Sequence, residues 1–281
     1  MGLGIAQAVA RVGVSVVLTK ATPGSLDKPR EKVEKQLARD VERGKLSEAD
    51  QGAFLERLTW SNHLHDLADA DLVIESIVEE LPVKRDHFGR LDEVVKNEAI
   101  FATNTSTLTV AEIAAATTRP ERFVGMHFFN PVHAMKLVEV APGLRTAPET
   151  VSTCIAFAKQ LGKVPVLVRD STGYIVNRLL VPYMVDAIHC LEQRVGTIGD
   201  IDAAMQNGAN HPMGPLALAD LIGLDIVQHM ATLLQDEYGE ARFAPPPLLR
   251  RMVIAGFLGR KSGAGFYRYD ERPPTPNDEL L

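Results

Sequence analysis

Residues 123–140 read FVGMHFFNPVHAMKLVEV. Two apolar runs, 123–127 and 136–140, flank a turn containing Asn130 and Pro131. Their β-branched and aromatic content predicts two strands. In a hairpin, opposed residue numbers sum to a constant. Pairing His127 with Glu139 centres the hairpin on His133, inside the predicted turn. Their Cβ atoms would then stand roughly 5 Å apart. A carboxylate beside an imidazole orients the ring and selects its tautomer, which suits a general base; a structural ion pair in a half-buried sheet is the other reading.

Outward from that hairpin, apolar strands alternate with helical periodicity. Strands are predicted at 14–18, 72–75, 99–102 and 164–168. Helices are predicted at 4–12, 28–43, 48–58, 82–95, 110–115 and 149–161. This alternation predicts a Rossmann-like α/β domain with a mostly parallel sheet covered on both faces. After DSTG (170–173) strand signals cease, and helices are predicted at 174–192, 198–206, 215–238 and 246–255. The predicted organisation is an α/β domain over 1–170, an all-helical domain over 171–270 and a proline-rich loose tail over 271–281.

The bulk numbers narrow the class. The chain has 281 residues, 46% hydrophobic and 23% charged, and a formal net charge of -6. That balance argues against a nucleic-acid partner held by bulk charge. No run of 18 apolar residues predicts a membrane span, and the N-terminus lacks a secretory signature. Cys154 and Cys190 lie in apolar stretches without metal spacing. They read as reduced core thiols of a cytoplasmic protein with no metal site.

Three further stretches carry polar groups at strand ends, where open α/β sheets bind ligands. IFATNTSTL (100–108) places Asn104, Thr105, Ser106 and Thr107 beyond a buried strand. Thr109 with Glu112 resembles a capping box for the helix that follows, which leaves Ser106 unexplained. VIESIVEELPVKRDHF (73–88) places Glu75, Glu79 and Glu80 before a helix, where acids favour the N-terminus. Lys84, judged alone, reads as a solvated helix lysine. GRKSGAGFY (259–267) is a glycine-rich loop carrying Lys261 that could approach a phosphate or be only a turn. His63 and His65 lack a third ligand cluster for a metal.

Together, MGLGIAQ, ADLVIESIVEE, ATNTSTL, GMHFFNPVHAMKLVEV, DSTGYIVNRLL, NHPMGPLALADLIGLD and GRKSGAGFY occur in order from residue 1 to about 269. In this the chain resembles the 3-hydroxyacyl-CoA dehydrogenase family, including its bacterial 3-hydroxybutyryl-CoA members. The resemblance implies an NAD(P)-dependent oxidoreductase interconverting a 3-hydroxyacyl-CoA and the 3-oxoacyl-CoA in fatty acid or butanoate metabolism. It implies His127 as catalytic base, Glu139 as its orienting partner, and Ser106 and Asn177 as holders of the substrate oxygen. Gly2, Glu79, Lys84, Asn130 and Lys261 match positions that bind or shape the nicotinamide cofactor's pocket. The family's helical domain also mediates a homodimer. Lys35, Arg39 and Arg43 recur at four-residue spacing on one helix face. Similar helices in the family help bind coenzyme A; a solvated charged face is the other reading, with Glu31, Glu34 and Asp40 nearby.

Two departures stand out. Gly2 matches the third glycine of the Gly-x-Gly-x-x-Gly fingerprint, so the first two glycines and the first strand are expected before residue 1; without them two neighbouring strands lose partners. Lys20 falls on or near the position where an acid usually binds the ribose hydroxyls of NAD. That predicts weakened NAD preference and possible NADP use, unless Lys20 points into solvent and Asp27 or a backbone group takes the role. A hydroxyacyl-ACP dehydrogenase and a cofactor-deficient, non-catalytic dimeric homologue are the alternative functions.

Overall fold

The computed structural model describes residues 1–21, 24–270 and 272–277. The chain divides into two compact units, Met1–Ser171 and Thr172–Leu281. The first unit runs α1 (Gly2–Arg11), β1 (Val16–Thr19), α2 (Asp27–Glu42), α3 (Glu48–Glu56), β2 (Leu58–Ser61), β3 (Leu72–Glu75), α4 (Leu81–Val94), β4 (Ile100–Thr103), α5 (Val110–Ala114), β5 (Phe123–Phe128), β6 (Leu137–Pro142), α6 (Pro148–Gln160) and β7 (Val164–Leu167).

β1 and β2 pair in parallel as a separate two-stranded sheet. The other strands form a five-stranded sheet in the order β3-β4-β5-β6-β7. All its neighbours are parallel except β5 and β6, the hairpin. β1 and β3 thus each keep one edge without a strand partner among the described residues. α1 spans the two pieces because its apolar residues fall on two stripes. Ile5 and Val9, four apart, join the core of the five-stranded sheet and α6. Ala6 and Ala10 join a second core with α2, α3, β1 and β2. The other face of the larger sheet is covered by α4, whose Phe88 ring lies 5.5 Å from Phe101 on β4 and 4.6 Å from Phe123 on β5. All three rings are fully buried, each worth roughly 1.5–3 kcal/mol over an exposed position.

Several local expectations are corrected. The predicted helix at 48–58 stops at Glu56, and β2 begins at Leu58, a strand the sequence pattern did not indicate. The parallel register with β1 decides Leu58: it stands opposite Val16, whose amide donates to Arg57 O at 2.8 Å, and its side chain is buried. Thr109 does occupy the N-cap of α5, but its hydroxyl reaches only Glu112 Oε2 (2.5 Å) and caps no amide. The Val110 and Ala111 amides donate instead to Asp170, at 2.7 and 2.9 Å. Cys154 is buried and its thiol is pushed up to about 12 by burial; Cys190 is only half-buried.

The second unit comprises α7 (Val176–Glu192), α8 (Ile198–Gly208), α9 (Pro215–Ile222), α10 (Leu224–Tyr238), α11 (Pro247–Ile254), β8 (Tyr267–Arg268) and β9 (Thr275–Pro276). Val181, Met184, Ile188, Leu216, Leu224, Val227 and Leu249 share one core. The helix predicted at 215–238 is two helices, bent by 97° at Gly223. Gly223 has φ +109°, a conformation that ends a helix for any residue with a side chain. The glycine-rich loop folds around two buried carboxylates. Asp202 accepts from the Leu216 and Ala217 amides (2.8 and 2.9 Å) and Tyr267 Oη (2.8 Å). Asp220 accepts from the Phe266 and Tyr267 amides (3.0 and 2.9 Å) and Tyr269 Oη (3.0 Å). A Cβ on Gly265 would overlap Asp220 Oδ1, and one on Gly214 would overlap Asp202.

The proline-rich end is not loose throughout. β9 pairs antiparallel with β8, and buried Asn277 donates its amide to Phe266 O (2.8 Å) and its side chain to Gly265 O (3.1 Å). The remainder of the predicted tail, residue 271 and residues 278–281, lies outside the described residues. No single helix among the described residues is long and apolar enough to cross a membrane.

Candidate active site

The β5–β6 register places His127 opposite Glu139. His127 Nδ1 lies 2.8 Å from Glu139 Oε2, with both side chains buried. A carboxylate only accepts, so the imidazole donates from Nδ1 and presents the lone pair of Nε2. The alternation of the strands explains why the pair is free of the apolar core. Met126, Phe128, Val138 and Val140 point into the core shared with α1 and α6, which leaves His127 and Glu139 on the opposite face.

The adjoining strand end is locked to this pair. Asn104, just beyond β4, accepts from the Phe128 amide at 2.7 Å and donates to Ser76 Oγ at 3.2 Å. The 103–107 turn then converges on two carboxylates. Glu79 Oε1 accepts from Thr105 Oγ1 (2.6 Å) and from the Ser106 and Thr107 amides (2.7 and 3.0 Å). The Thr107 and Ser106 hydroxyls reach the same oxygen at 3.2 and 3.3 Å. Thr103 Oγ1 donates to Glu75 Oε2 at 2.7 Å.

Lys84 sits between those carboxylates, 2.7 Å from Glu75 Oε1 and 3.1 Å from Glu79 Oε2, with 1% of its side chain exposed. This overturns the expectation of a solvated lysine. The signal was in the sequence: Lys84, Phe88 and Leu91 fall at i, i+4 and i+7, on the stripe that α4 buries. A lysine on such a stripe needs a buried anion, and Glu75 supplies it. Burial pushes the Glu79 carboxyl up, but Lys84 and the hydrogen bonds from Thr105 and Ser106 outweigh it and bring it down to about 2. His87, one turn on, is held below the ordinary imidazole value by burial. Glu75 and Thr105, noted in the sequence only as polar groups at strand ends, and Asp170, which the sequence reading did not single out, are the structural partners of the site.

The other expected residues are distributed as follows. Gly2 opens α1, and a Cβ there would meet Ser76 Cβ at an ordinary 3.7 Å; the tight approach is at Gly4, where a Cβ would lie 3.0 Å from Val132. The α1 N-terminus therefore lies at the same carboxyl edge of the sheet as the loop after β3. Asn130 is exposed in the β5–β6 turn, in a cis bond to Pro131. Lys20 follows β1 directly and lines a cavity described below. Lys35 and Arg39 lie on one shallow face of α2 with Lys28 and Lys32; Lys35 is paired with Glu31 (3.2 Å), and Arg43 forms the C-cap beyond that face. Asn177 and Lys261 belong to the second unit. Asn177 is in the first turn of α7 and buried. Lys261 lies 2.6 Å from Asp225 Oδ2.

These donor sets fit a nicotinamide dinucleotide. A helix N-terminus, a buried Glu79–Lys84 pair and a cationic cavity all occur at the carboxyl edge of parallel strands, where backbone amides and cations meet phosphate oxygens.

The comparisons with known proteins agree along the whole chain. The family model described as 3-hydroxyacyl-CoA dehydrogenase, NAD binding domain, matches residues 1–171. The one described as 3-hydroxyacyl-CoA dehydrogenase, C-terminal domain, matches residues 173–269. The 3-hydroxybutyryl-CoA dehydrogenase of Clostridioides difficile is 45% identical over 271 residues, covering 96% of each chain. The mitochondrial hydroxyacyl-coenzyme A dehydrogenase of Sus scrofa is 41% identical, covering 96% of this chain and 88% of its own. The crystal structure of the (S)-3-hydroxybutyryl-CoA dehydrogenase of Ralstonia eutropha superposes with a TM-score of 0.92 at 42% identity, covering 96% of each chain. With an imidazole–carboxylate pair at a dinucleotide-type sheet edge and both domain signatures present, the chain belongs to the 3-hydroxyacyl-CoA dehydrogenase family.

Proposed function

We propose that this 3-hydroxyacyl-CoA dehydrogenase oxidises short-chain substrates of the 3-hydroxybutyryl-CoA type, with His127 as the catalytic base. The observation that carries the reading is the buried 2.8 Å contact between His127 Nδ1 and Glu139. It leaves Nε2 as the ring's basic atom and stabilises the imidazolium that forms when that atom takes a proton. His127 removes the proton of the C3 hydroxyl as the C3–O bond becomes a carbonyl. The bound nicotinamide cofactor supplies the hydride acceptor for C3. In the reverse direction the imidazolium returns the proton to the 3-oxo oxygen.

Ser106 holds that oxygen, a well-placed donor contributing about 2–4 kcal/mol to the charged transition state. The turn that carries Ser106 is fixed to Glu79 Oε1 by Thr105 Oγ1 and by the Ser106 and Thr107 amides, which positions its hydroxyl. Glu79, Lys84 and Asn130 shape the cofactor's pocket in the first unit, with Gly2 at its helix N-terminus. The face of α2 that carries Lys35 and Arg39, with Arg43 at the helix end beyond it, meets the phosphates of coenzyme A. The short-chain preference is supported by the names of the relatives above.

Homodimerisation through the second unit is supported by its exposed apolar side chains, among them Leu179, Val195 and Ile254. A cytoplasmic place in fatty acid or butanoate metabolism accords with the same reading. NAD is the family's cofactor; the Lys20 position argues for NADP.

The test is steady-state kinetics across 3-hydroxyacyl-CoA chain lengths, with an acyl carrier protein thioester as competitor. The four-carbon CoA thioester should give the highest kcat/KM. A higher value for a long chain would sink the substrate assignment, and no oxidation of any hydroxyacyl-CoA would sink the mechanism.

A further inference from the structure

A cavity of about 800 Å³ opens in the first unit beyond the carboxyl ends of β1 and β2. The parallel register sets Thr19 beside Ser61, so the chain leaves both strands at one edge, with Lys20 on one side and Asn62 and His63 on the other. His65 follows on the same loop, and α4 brings His87 and Arg90, three residues apart and on one helix face. Two permanent cations and three imidazoles from three elements thus line one space, against one lining carboxylate, Glu93. Asp86 is 4.0 Å from Arg90, but both are well exposed, so this contact leaves the guanidinium available.

Lys20 is accommodated by design of the backbone. Gly24 has φ +138°, and a Cβ there would come within 2.8 Å of Lys20 Nζ. Asp27, the other group considered for this place, is engaged by Ser25 and is not among the lining residues.

We infer that this cavity is a binding site for a ribose phosphomonoester, the 2′-phosphate of NADP, with Lys20 and Arg90 as its charged ligands and His63, His65 and His87 around it. The inference rests on the dehydrogenase reading and adds the specificity determinants of its cofactor. The charge balance favours the phosphorylated form. A ribose hydroxyl can accept from an ammonium but leaves two permanent cations uncompensated, whereas a phosphomonoester carries roughly -1.5 to -2 charge at pH 7 and accepts from both. Coenzyme A carries the same chemistry as a 3′-phosphate, so the site of attachment on the ribose separates the two sources.

The experiment is calorimetric binding of adenosine 2′,5′-bisphosphate, adenosine 3′,5′-bisphosphate and 5′-AMP to the full chain, with NADPH and NADH turnover in parallel. The 2′,5′-compound should bind about tenfold more tightly than either of the others, as expected for charge-assisted contacts. Lys20→Ala and Arg90→Ala should each remove most of that advantage, and Lys20→Asp should reverse it in favour of 5′-AMP. Equal affinities overturn the inference, as does tightest binding of the 3′,5′-compound or an advantage untouched by both variants. NADH turnover without any 2′-phosphate advantage would sink the cavity assignment alone. A 2′-phosphate advantage without turnover of either cofactor would support the cavity while sinking the dehydrogenase reading.

Discussion

Glu79 in the first unit, half-buried, and Asp220 in the second, fully buried, are both carboxylates that gather loops through backbone amides, yet they titrate on opposite sides of the ordinary range. Glu79 is brought down to about 2, whereas burial pushes Asp220 up to about 6 against the hydrogen bonds it accepts from Tyr267, Phe266 and Tyr269. The donor chemistry is similar; the difference is a cation. Lys84 lies 3.1 Å from Glu79, whereas Asp220 forms no ion pair among the described residues and feels Asp202 as a like charge. Hydrogen bonds alone do not hold a desolvated charge; a counter-charge does. The first arrangement keeps fixed charges at the turn that carries Ser106, and the second is a scaffold knot around glycines.

The comparison breaks most sharply at His127. His127→Gln should lower kcat by about 10²–10⁴-fold while leaving the thermal midpoint nearly unchanged, because it removes a proton acceptor and keeps the volume. Near-wild-type kcat would end the assignment of the base. Next comes Lys84→Met, which should destabilise the fold by about 3–5 kcal/mol in denaturant titrations, since Glu75 and Glu79 would be left buried without their cation. A loss below about 1 kcal/mol would show that the pair is dispensable and would erase the contrast with Asp220.

The smallest effect is in pH dependence. Asp220 has a raised folded pKa, so its contribution to stability is full below about 3.8 and is lost as pH rises through about 6. Glu79 has a depressed one, so its contribution is present above 4.5 and lost as pH falls toward about 2. Between pH 4.5 and 7 the unfolding free energy of wild type should therefore carry a falling component on the order of 2 kcal/mol, which Asp220→Asn removes. Parallel curves for the two proteins would show that Asp220 titrates normally.

The sequence displayed the strands that are apolar throughout and the helices with a clear stripe, and the hairpin register followed from where His127 and Glu139 fall around the turn. β2 was illegible because LTWS (58–61) follows a helical run without a turn residue, and only pairing with β1 makes it a strand. The break at Gly223 was hidden inside continuous apolar periodicity. At the site, His127 and Glu139 could be found from spacing, because a strand pair converts sequence separation into proximity. Lys84 could be valued from its place on the buried stripe of α4, with Glu75 and Glu79 only nine and five residues before it, whereas Lys20 could not be valued without His63, His65 and Arg90, which elements far apart in the chain bring to it.

Asp170 gives the seam between the two units an unexpected meaning. Its carboxylate closes the N-terminus of α5, sixty residues earlier in the chain and directly behind the Ser106 turn. Its acidity is weakened by burial despite those two amides. Anyone dissecting this protein into halves would find that the cut has a preferred side: a first half trimmed before residue 170 keeps every strand of its sheet but loses the clasp on the first turn of α5.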